Sequence, residues 1–206
     1  METISALIQK VKNENGFLNI LKTAEDFKKS HSVKDCLIIS KKLFSSEIYQ
    51  VRSLGTFILG FIACGSKEAL SFLKMRVSRD KDWRVQEILA KSFDRYCSDT
   101  GYKTALPVMK EWLSDKNSNV RRAVTEGLRI WTGRDYFKDD PDAAVKLLGK
   151  LKDDESEYVR KSVGNALRDI SKKHKDLIKS EIETWDTSNK KIGQTYKLAC
   201  KFIMKG

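Results

Sequence analysis

The sequence predicts an all-α chain built as a helical-repeat solenoid, an α–α superhelix of about six helix pairs. Three observations carry this expectation. Apolar residues recur at helical spacing along almost the whole chain, and no run alternates apolar with polar as a half-buried strand would. Only two of the 206 residues are proline and eleven are glycine, so little interrupts long helices. Four segments align without internal gaps: VRSLGTFILG from Val51, VQEILAKSFD from Val85, VRRAVTEGLR from Val120 and VRKSVGNALR from Val159, starting 34, 35 and 39 residues apart.

Each aligned segment begins the second helix of a pair. With the valine as position zero, positions zero, four and eight are Val51/Gly55/Leu59, Val85/Leu89/Phe93, Val120/Val124/Leu128 and Val159/Val163/Leu167, which is one buried stripe per helix. The first helices are expected at about Asp35 to Ser45, Ser66 to Ser78, Tyr102 to Ser114 and Pro141 to Lys152. Pro141 suits a first helical turn, whereas Pro107 lies inside its helix and predicts a kink. Residues 1–34 supply an N-terminal helical cap (Thr3 to Lys29), residues 35–173 four clear repeats, and residues 174–206 a terminal helix pair (Lys175 to Lys205) around Ile192. The whole chain, 1–206, is expected to form one repeat domain.

A second regularity narrows the repeat type. Six residues before the arginine of Val-Arg stands an aspartate, Asp115 before Arg121 and Asp154 before Arg160, and Asp80 precedes Gln86 by the same step. This signature resembles HEAT repeats, and the resemblance implies a hydrogen-bonded ladder tying successive repeats together. Arg121 and Arg160 are therefore expected to join repeats rather than touch a ligand. Ser46 stands before Arg52, so the first copy is expected to lack a complete ladder.

Composition bounds the function. Forty Lys and Arg against 28 Asp and Glu give a formal charge of +12 and a pI near 9.5, which favours a polyanionic partner held by phosphate neutralisation. No secretory leader is apparent at METISALIQKVKNENG and no apolar run approaches membrane-spanning length, so a cytoplasmic location is expected. Cys36, Cys64, Cys97 and Cys200 are scattered without a Cys-x-x-Cys pair beside only two histidines, so no metal site, disulfide framework or cofactor is expected, and the thiols should be buried and reduced.

Positions two, six and nine of each second helix lie opposite its buried stripe. They read Glu87, Lys91 and Asp94; Arg122, Glu126 and Arg129; Lys161, Asn165 and Arg168. Stacked on one concave face, Lys91, Arg122, Arg129, Lys161 and Arg168 would cradle a duplex through its phosphates, without sequence choice. The acids in this basic groove need a salt-bridge partner, such as Lys91 for Glu87 or Arg122 for Glu126, or a chemical task. Trp83, four residues before Glu87, sets an aromatic plane beside a carboxylate. An electron-rich ring can hold a cationic, alkylated purine, and a carboxylate can stabilise the sugar cation that develops as the glycosidic bond breaks, or orient a water.

The order and spacing of KKLFSSEIYQVRSLGTFILG from Lys41, DWRVQEILAKSFD from Asp82, VRRAVTEGLR from Val120 and EYVRKSVGNALRDISKKH from Glu157 resemble the AlkD/AlkC superfamily of DNA alkylation repair proteins, HEAT-repeat glycosylases of cationic alkylpurines. The resemblance covers about Asp35 to Trp185. It places the AlkD-type Trp-x-x-x-Asp pair on Trp83 and Glu87, and the family's active-site arginine near Arg121 or Arg122. Asn165 stands where AlkD-type proteins carry a further tryptophan, as in the AlkC-like branch. GNALRDISK and Glu126 in TEG are similar to that branch, which makes Glu126 and Asp169 alternative acids. The AlkC-type extension is replaced by RIWTGRDYFKDD, with Trp131 and Tyr136 as substitutes, and the N-terminal aromatic motif of AlkD is not visible. The implied activity is a monofunctional glycosylase, a hydrolase that cleaves the bond between deoxyribose and an N3- or N7-alkylated purine. Its site would use Trp83 and Glu87, with double-stranded, damaged or distorted DNA as partner and the protein acting as a monomer. Two alternatives remain: a non-catalytic binder of distorted or branched DNA, and a protein-interaction scaffold.

Overall fold

A computed structural model describes residues 4–203; Thr3 and Lys205, the expected limits of the cap and of the terminal pair, lie outside the described residues. Thirteen α-helices and no strand occur among the described residues. The chain is all-α and built of helix pairs, and it falls into two compact units, Met1–Thr100 and Gly101–Gly206.

The first unit holds α1 (Ile4–Val11), α2 (Leu18–Ser30), α3 (Val33–Phe44), α4 (Tyr49–Ile62), α5 (Lys67–Met75) and α6 (Trp83–Thr100). The second helices form a layer in which α4 touches both α2 and α6, and α3 packs behind α4. The second unit holds α7 (Tyr102–Leu113), α8 (Ser118–Gly127), the short α9 (Asp135–Asp139), α10 (Pro141–Gly149), α11 (Glu157–Ser171), α12 (Lys175–Glu183) and α13 (Lys190–Ala199). Here α11 lies between α8 and α13, with α7, α10 and α12 as the first helices. Pro141 occupies the first turn of α10, and Pro107 is carried inside α7, which continues as helix on both sides of it.

The expected stripe is the core. Val51, Leu59, Val85, Leu89, Phe93, Val120, Val124, Leu128, Val159, Val163 and Leu167 are all at most 1% exposed, so the valine register positions all four second helices. Gly55 completes the stripe for a steric reason: a β-carbon there would stand 2.8 Å from the Ser40 carbonyl oxygen of α3. Gly164 similarly lets α11 approach α13, since a β-carbon would come within 2.7 Å of Leu198 Cβ.

The loops between paired helices repeat one wiring pattern. The carboxylates of Asp80, Asp115 and Asp154 accept the backbone N–H two residues on, and Ser46 Oγ accepts that of Ile48. One turn later a polar residue caps the second helix: Asp82 accepts from Arg84 N, Asn117 from Asn119 N and Asn189 from Lys191 N. Arginines then link successive repeats. Arg52 forms two hydrogen bonds to Asp80 (2.6 and 3.2 Å) while holding the Ser46 and Glu47 carbonyls, and Arg121 does the same to Asp154 (2.6 and 2.7 Å) and the Asp115 and Lys116 carbonyls.

The first rung is therefore complete, against the expectation drawn from Ser46. The arginine reaches the aspartate of the following repeat, and toward its own loop it needs only carbonyls, which any residue supplies. In the last rung Gln194 Oε1 takes both N–H groups of Arg160, at 2.9 and 2.6 Å. Gln86 replaces arginine in α6 and bonds the Val77 and Asp80 carbonyls of its own loop.

Among the thiols, Cys36, Cys97 and Cys200 are buried as expected, whereas Cys64 is exposed near the C-terminal end of α4; all four are free. No helix among the described residues is long and apolar enough to cross a membrane.

Candidate functional site

In the first unit, a cleft of about 440 Å³ opens between the start of α2 and the N-terminal ends of α4 and α6. Phe17, Tyr49 and Trp83 supply three aromatic walls, Ile20 and Ile88 an apolar floor, and Arg84, Glu87 and Lys91 the charged groups. The repeat register explains the convergence: Tyr49 and Trp83 both stand two residues before their valines, and Ser53 and Glu87 two residues after, so α4 and α6 present equivalent positions side by side. Trp83 is 70% exposed, and Glu87 is half-buried one helical turn away. The expected residues Trp83, Glu87 and Lys91 thus share one cleft.

Two cations of the chain already lie on its aromatic walls. The Lys91 ammonium sits 4.4 Å from the Phe17 ring centroid. The Arg84 guanidinium stacks 3.4 Å above Tyr49 and lies 5.9 Å from Trp83, while its Nε and a terminal nitrogen donate to Asp82 at 2.9 and 2.7 Å. The hydrogen bond from Arg84 holds the Asp82 carboxyl below the usual carboxylate range. Sequence reasoning missed Phe17, Tyr49 and Arg84. Tyr49 was accessible through its register equivalence to Trp83, while Phe17 precedes the first aligned repeat and reaches the cleft only through tertiary packing.

The other candidates lie in the second unit, on α8 and α11 and in the turn that follows α8. Arg129 bridges two carboxylates, donating to Glu126 Oε1 at 2.7 Å and to Asp169 Oδ2 at 2.9 and 3.3 Å. The other oxygen of Glu126 accepts from Ser162 of α11 at 2.8 Å, which makes this a brace between α8 and α11. Asp169 also pairs with Arg168 (3.4 Å) and Lys172 (3.2 Å). Lys161 pairs with Glu157 at 2.6 Å on the exposed face of α11, and Arg122 and Asn165 are half-buried. Trp131 is fully buried, bonded to the Thr125 carbonyl and packed against Phe137, so it is a core residue and not a substitute for a DNA-contacting extension. Its position just after α8, beside the short α9, closes the core where the repeat spacing lengthens.

Asp169 gives the brace a pH signature. Burial works to raise its pKa, but the hydrogen bonds from Arg129 and Lys172 outweigh it, leaving the group below the usual carboxylate range. A depressed folded-state pKa stabilises the protein fully above the unfolded value of about 3.9 and is lost as pH falls through the folded value. The stability gap between wild type and Asp169→Asn in urea titrations is thus expected to be constant near neutrality and to shrink below about pH 4. A gap independent of pH in that range would show that the ionised brace contributes nothing.

Comparison with known proteins agrees with this architecture. The model of the DNA alkylation repair enzyme family matches residues 18–201. AlkD2 from Streptococcus mutans is 47% identical, with 97% of this chain and 96% of that chain covered and a TM-score of 0.94. The smu.31 protein of S. mutans UA159 is 44% identical, with 97% and 99% covered and a TM-score of 0.92. The alkylpurine DNA glycosylase AlkC of Pseudomonas fluorescens, solved bound to DNA containing an abasic site analog, shares the fold at 22% identity and a TM-score of 0.65; the match covers 98% of this chain and 60% of AlkC. The Bacillus subtilis (strain 168) uncharacterized protein YhaZ is 38% identical over 98 residues, which are 46% of this chain and 28% of YhaZ. With the family model spanning nearly the whole chain and two relatives above 40% identity over almost their full lengths, the chain belongs to the DNA alkylation repair enzyme family.

Proposed function

We propose that the chain binds double-stranded DNA and acts as a monofunctional glycosylase. It would receive a cationic N3- or N7-alkylated purine in the Trp83–Glu87 cleft and hydrolyse its bond to deoxyribose. The observation that carries this reading is the convergence of Trp83, Tyr49 and Glu87 on one cleft of about 440 Å³, within the size range of small-molecule sites. The aromatic faces favour a positively charged ring by cation–π attraction. Glu87, on the same wall, stabilises the sugar cation or orients the attacking water. Glu126 and Asp169 do not line this cleft; they are assigned to bracing α8 against α11, with their oxygens on Arg129, Ser162, Arg168 and Lys172. Arg129 is accordingly assigned to positioning. Lys91, Arg122, Lys161 and Arg168 are assigned to phosphates, with Asn165 beside them on α11 as a neutral contact to the DNA.

A second reading, a non-catalytic binder of distorted or branched DNA, is favoured by one observation: Arg84 already holds the face of Tyr49 that a cationic base would need. Two measurements separate the readings. Four phosphate-neutralising side chains predict that the logarithm of duplex affinity falls with the logarithm of salt with a slope of about −3 to −4. A flat salt dependence would remove DNA as the partner and leave a protein scaffold. Incubation with alkylated DNA is expected to release methylated purine; steep salt dependence without release selects the non-catalytic reading.

A further inference from the structure

The first helices of the second unit carry a recess of their own. The step from Val120 to Val159, 39 residues, is the longest of the three, and the extra length forms the turn at Trp131 and the short α9. Helix α9 packs against both α7 and α10, two successive first helices, and a recess of about 200 Å³ lies among the three. Leu106 of α7 with Ala143 and Leu147 of α10 give it an apolar lining, and Tyr136 of α9 adds an aromatic wall, its hydroxyl on Asp140 at 3.3 Å. Tyr136, expected from the sequence to stand in for a DNA-contacting extension, thus faces a recess of the first helices and not the face of α8 and α11 that carries Arg122, Lys161 and Arg168.

Three lysines ring the apolar lining: Lys110 one turn after Leu106 on α7, and Lys146 and Lys150 flanking Leu147 on α10. All three are exposed, and no acid lines the recess. Lys146 pairs with Asp142 at 2.5 Å on its own helix, while Lys110 and Lys150 have no ion pair among the described residues. Like charges converging from two helices favour an anionic partner between them. The volume falls below the roughly 300–1,000 Å³ of small-molecule sites, so it suits one apolar side chain rather than a whole ligand. A nucleic-acid backbone would meet the lysines but bring nothing to cover the apolar lining. A peptide with acidic residues on either side of an apolar one satisfies both.

We propose that this recess is a docking site for an acidic peptide segment of a partner protein, with one apolar side chain seated between α7 and α10 and flanking carboxylates on Lys110 and Lys150. The site is independent of the chemistry at Glu87. It leaves the exposed face of α8 and α11 free, so DNA and the partner can be held at once.

The probe is the synthetic peptide Ac-Asp-Asp-Asp-Phe-Asp-Asp-NH2, titrated into the ¹⁵N-labelled full chain while backbone amide shifts are followed. Saturable shifts are expected in α7, α9 and α10. Lys110→Glu combined with Lys150→Glu should weaken binding about tenfold, because two attractions become repulsions. Ala143→Phe keeps all three lysines and fills the recess from a half-buried position, and it should weaken binding by about the same factor. Lys161→Glu on α11 should leave the affinity unchanged, and a saturating duplex should leave the peptide bound at physiological ionic strength, where charges more than about 8 Å apart are screened. No shift at millimolar peptide, shifts centred on α8 and α11, or displacement by the duplex would overturn the site. Binding that Ala143→Phe leaves intact would reduce it to a general attraction between a basic chain and an acidic peptide, and would overturn it equally.

Discussion

Glu87→Gln is expected to slow the release of methylated purine from alkylated DNA by about 10²- to 10⁴-fold, the range of a positioned acid–base group, while changing duplex affinity only slightly. Glutamine preserves the length and volume of the side chain, so the substitution removes a charge and a proton acceptor while keeping the side chain's shape on α6. The charge matters because the N-glycosidic bond of a cationic purine breaks toward a neutral base and a positively charged sugar. A carboxylate beside that sugar interacts more strongly with the transition state than with the ground state, and only such differential contacts accelerate chemistry. Trp83→Ala should act differently, since under the proposed function the ring contacts the lesion before and after the bond weakens: its main effect is expected on binding of the alkylated site. Single-turnover release measured at saturating enzyme separates the two. A Glu87→Gln variant as fast as wild type would remove the carboxylate from the chemistry.

Arg121→Met is expected to destabilise the second unit by about 3 kcal/mol, because it strands a buried carboxylate. The Asp154 side chain is only 4% exposed and its guanidinium partner 12%. Removing Arg121 also leaves the Asp115 and Lys116 carbonyls without their side-chain donor. Urea unfolding followed by tryptophan fluorescence reads this unit directly, since Trp112, Trp131 and Trp185 are its buried reporters. Adding Asp154→Leu to Arg121→Met should recover part of the loss, as removal of both charges relieves the unpaired one. Lys161→Gln provides the contrast: its pair with Glu157 is more than half exposed on both sides and screened by solvent, and no measurable loss is expected. A loss at Arg121 as small as that at Lys161 would mean the rungs do not hold the repeats together.

Much of the fold was legible because helix periodicity is a local property. Val51, Val85, Val120 and Val159 set a register that places eleven apolar stripe residues in the core, and the Asx caps at Asp82 and Asn117 fix where α6 and α8 begin. The ladder was legible in its members but not in its direction. Ser46 looked like a missing rung because a sequence shows Arg52 and Ser46 six residues apart, while the bond that matters spans 28 residues to Asp80. Trp131 was ambiguous for the same reason: a tryptophan in a polar loop reads equally as a surface contact, and only the packing of Phe137 and the Thr125 carbonyl makes it core.

The cleft divides in the same way. Trp83 and Glu87 were visible as a pair four residues apart on one helix, and the basic excess pointed to a polyanion before any coordinates. By itself, then, the sequence determined the buried stripe and the aromatic–acid pair on α6, which depend on residues within a turn or two of each other, and the helical repeat and the family, which depend on the order and spacing of such local patterns along the chain. Tertiary structure alone decided which residues complete that pair and which charges are already engaged. Phe17 and Tyr49 reach Trp83 from other helices, Arg84 turns back onto Tyr49, and Arg129 lies between Glu126 and Asp169. Those outcomes depend on how close packing brings distant segments together and on which opposite charge each side chain finds there.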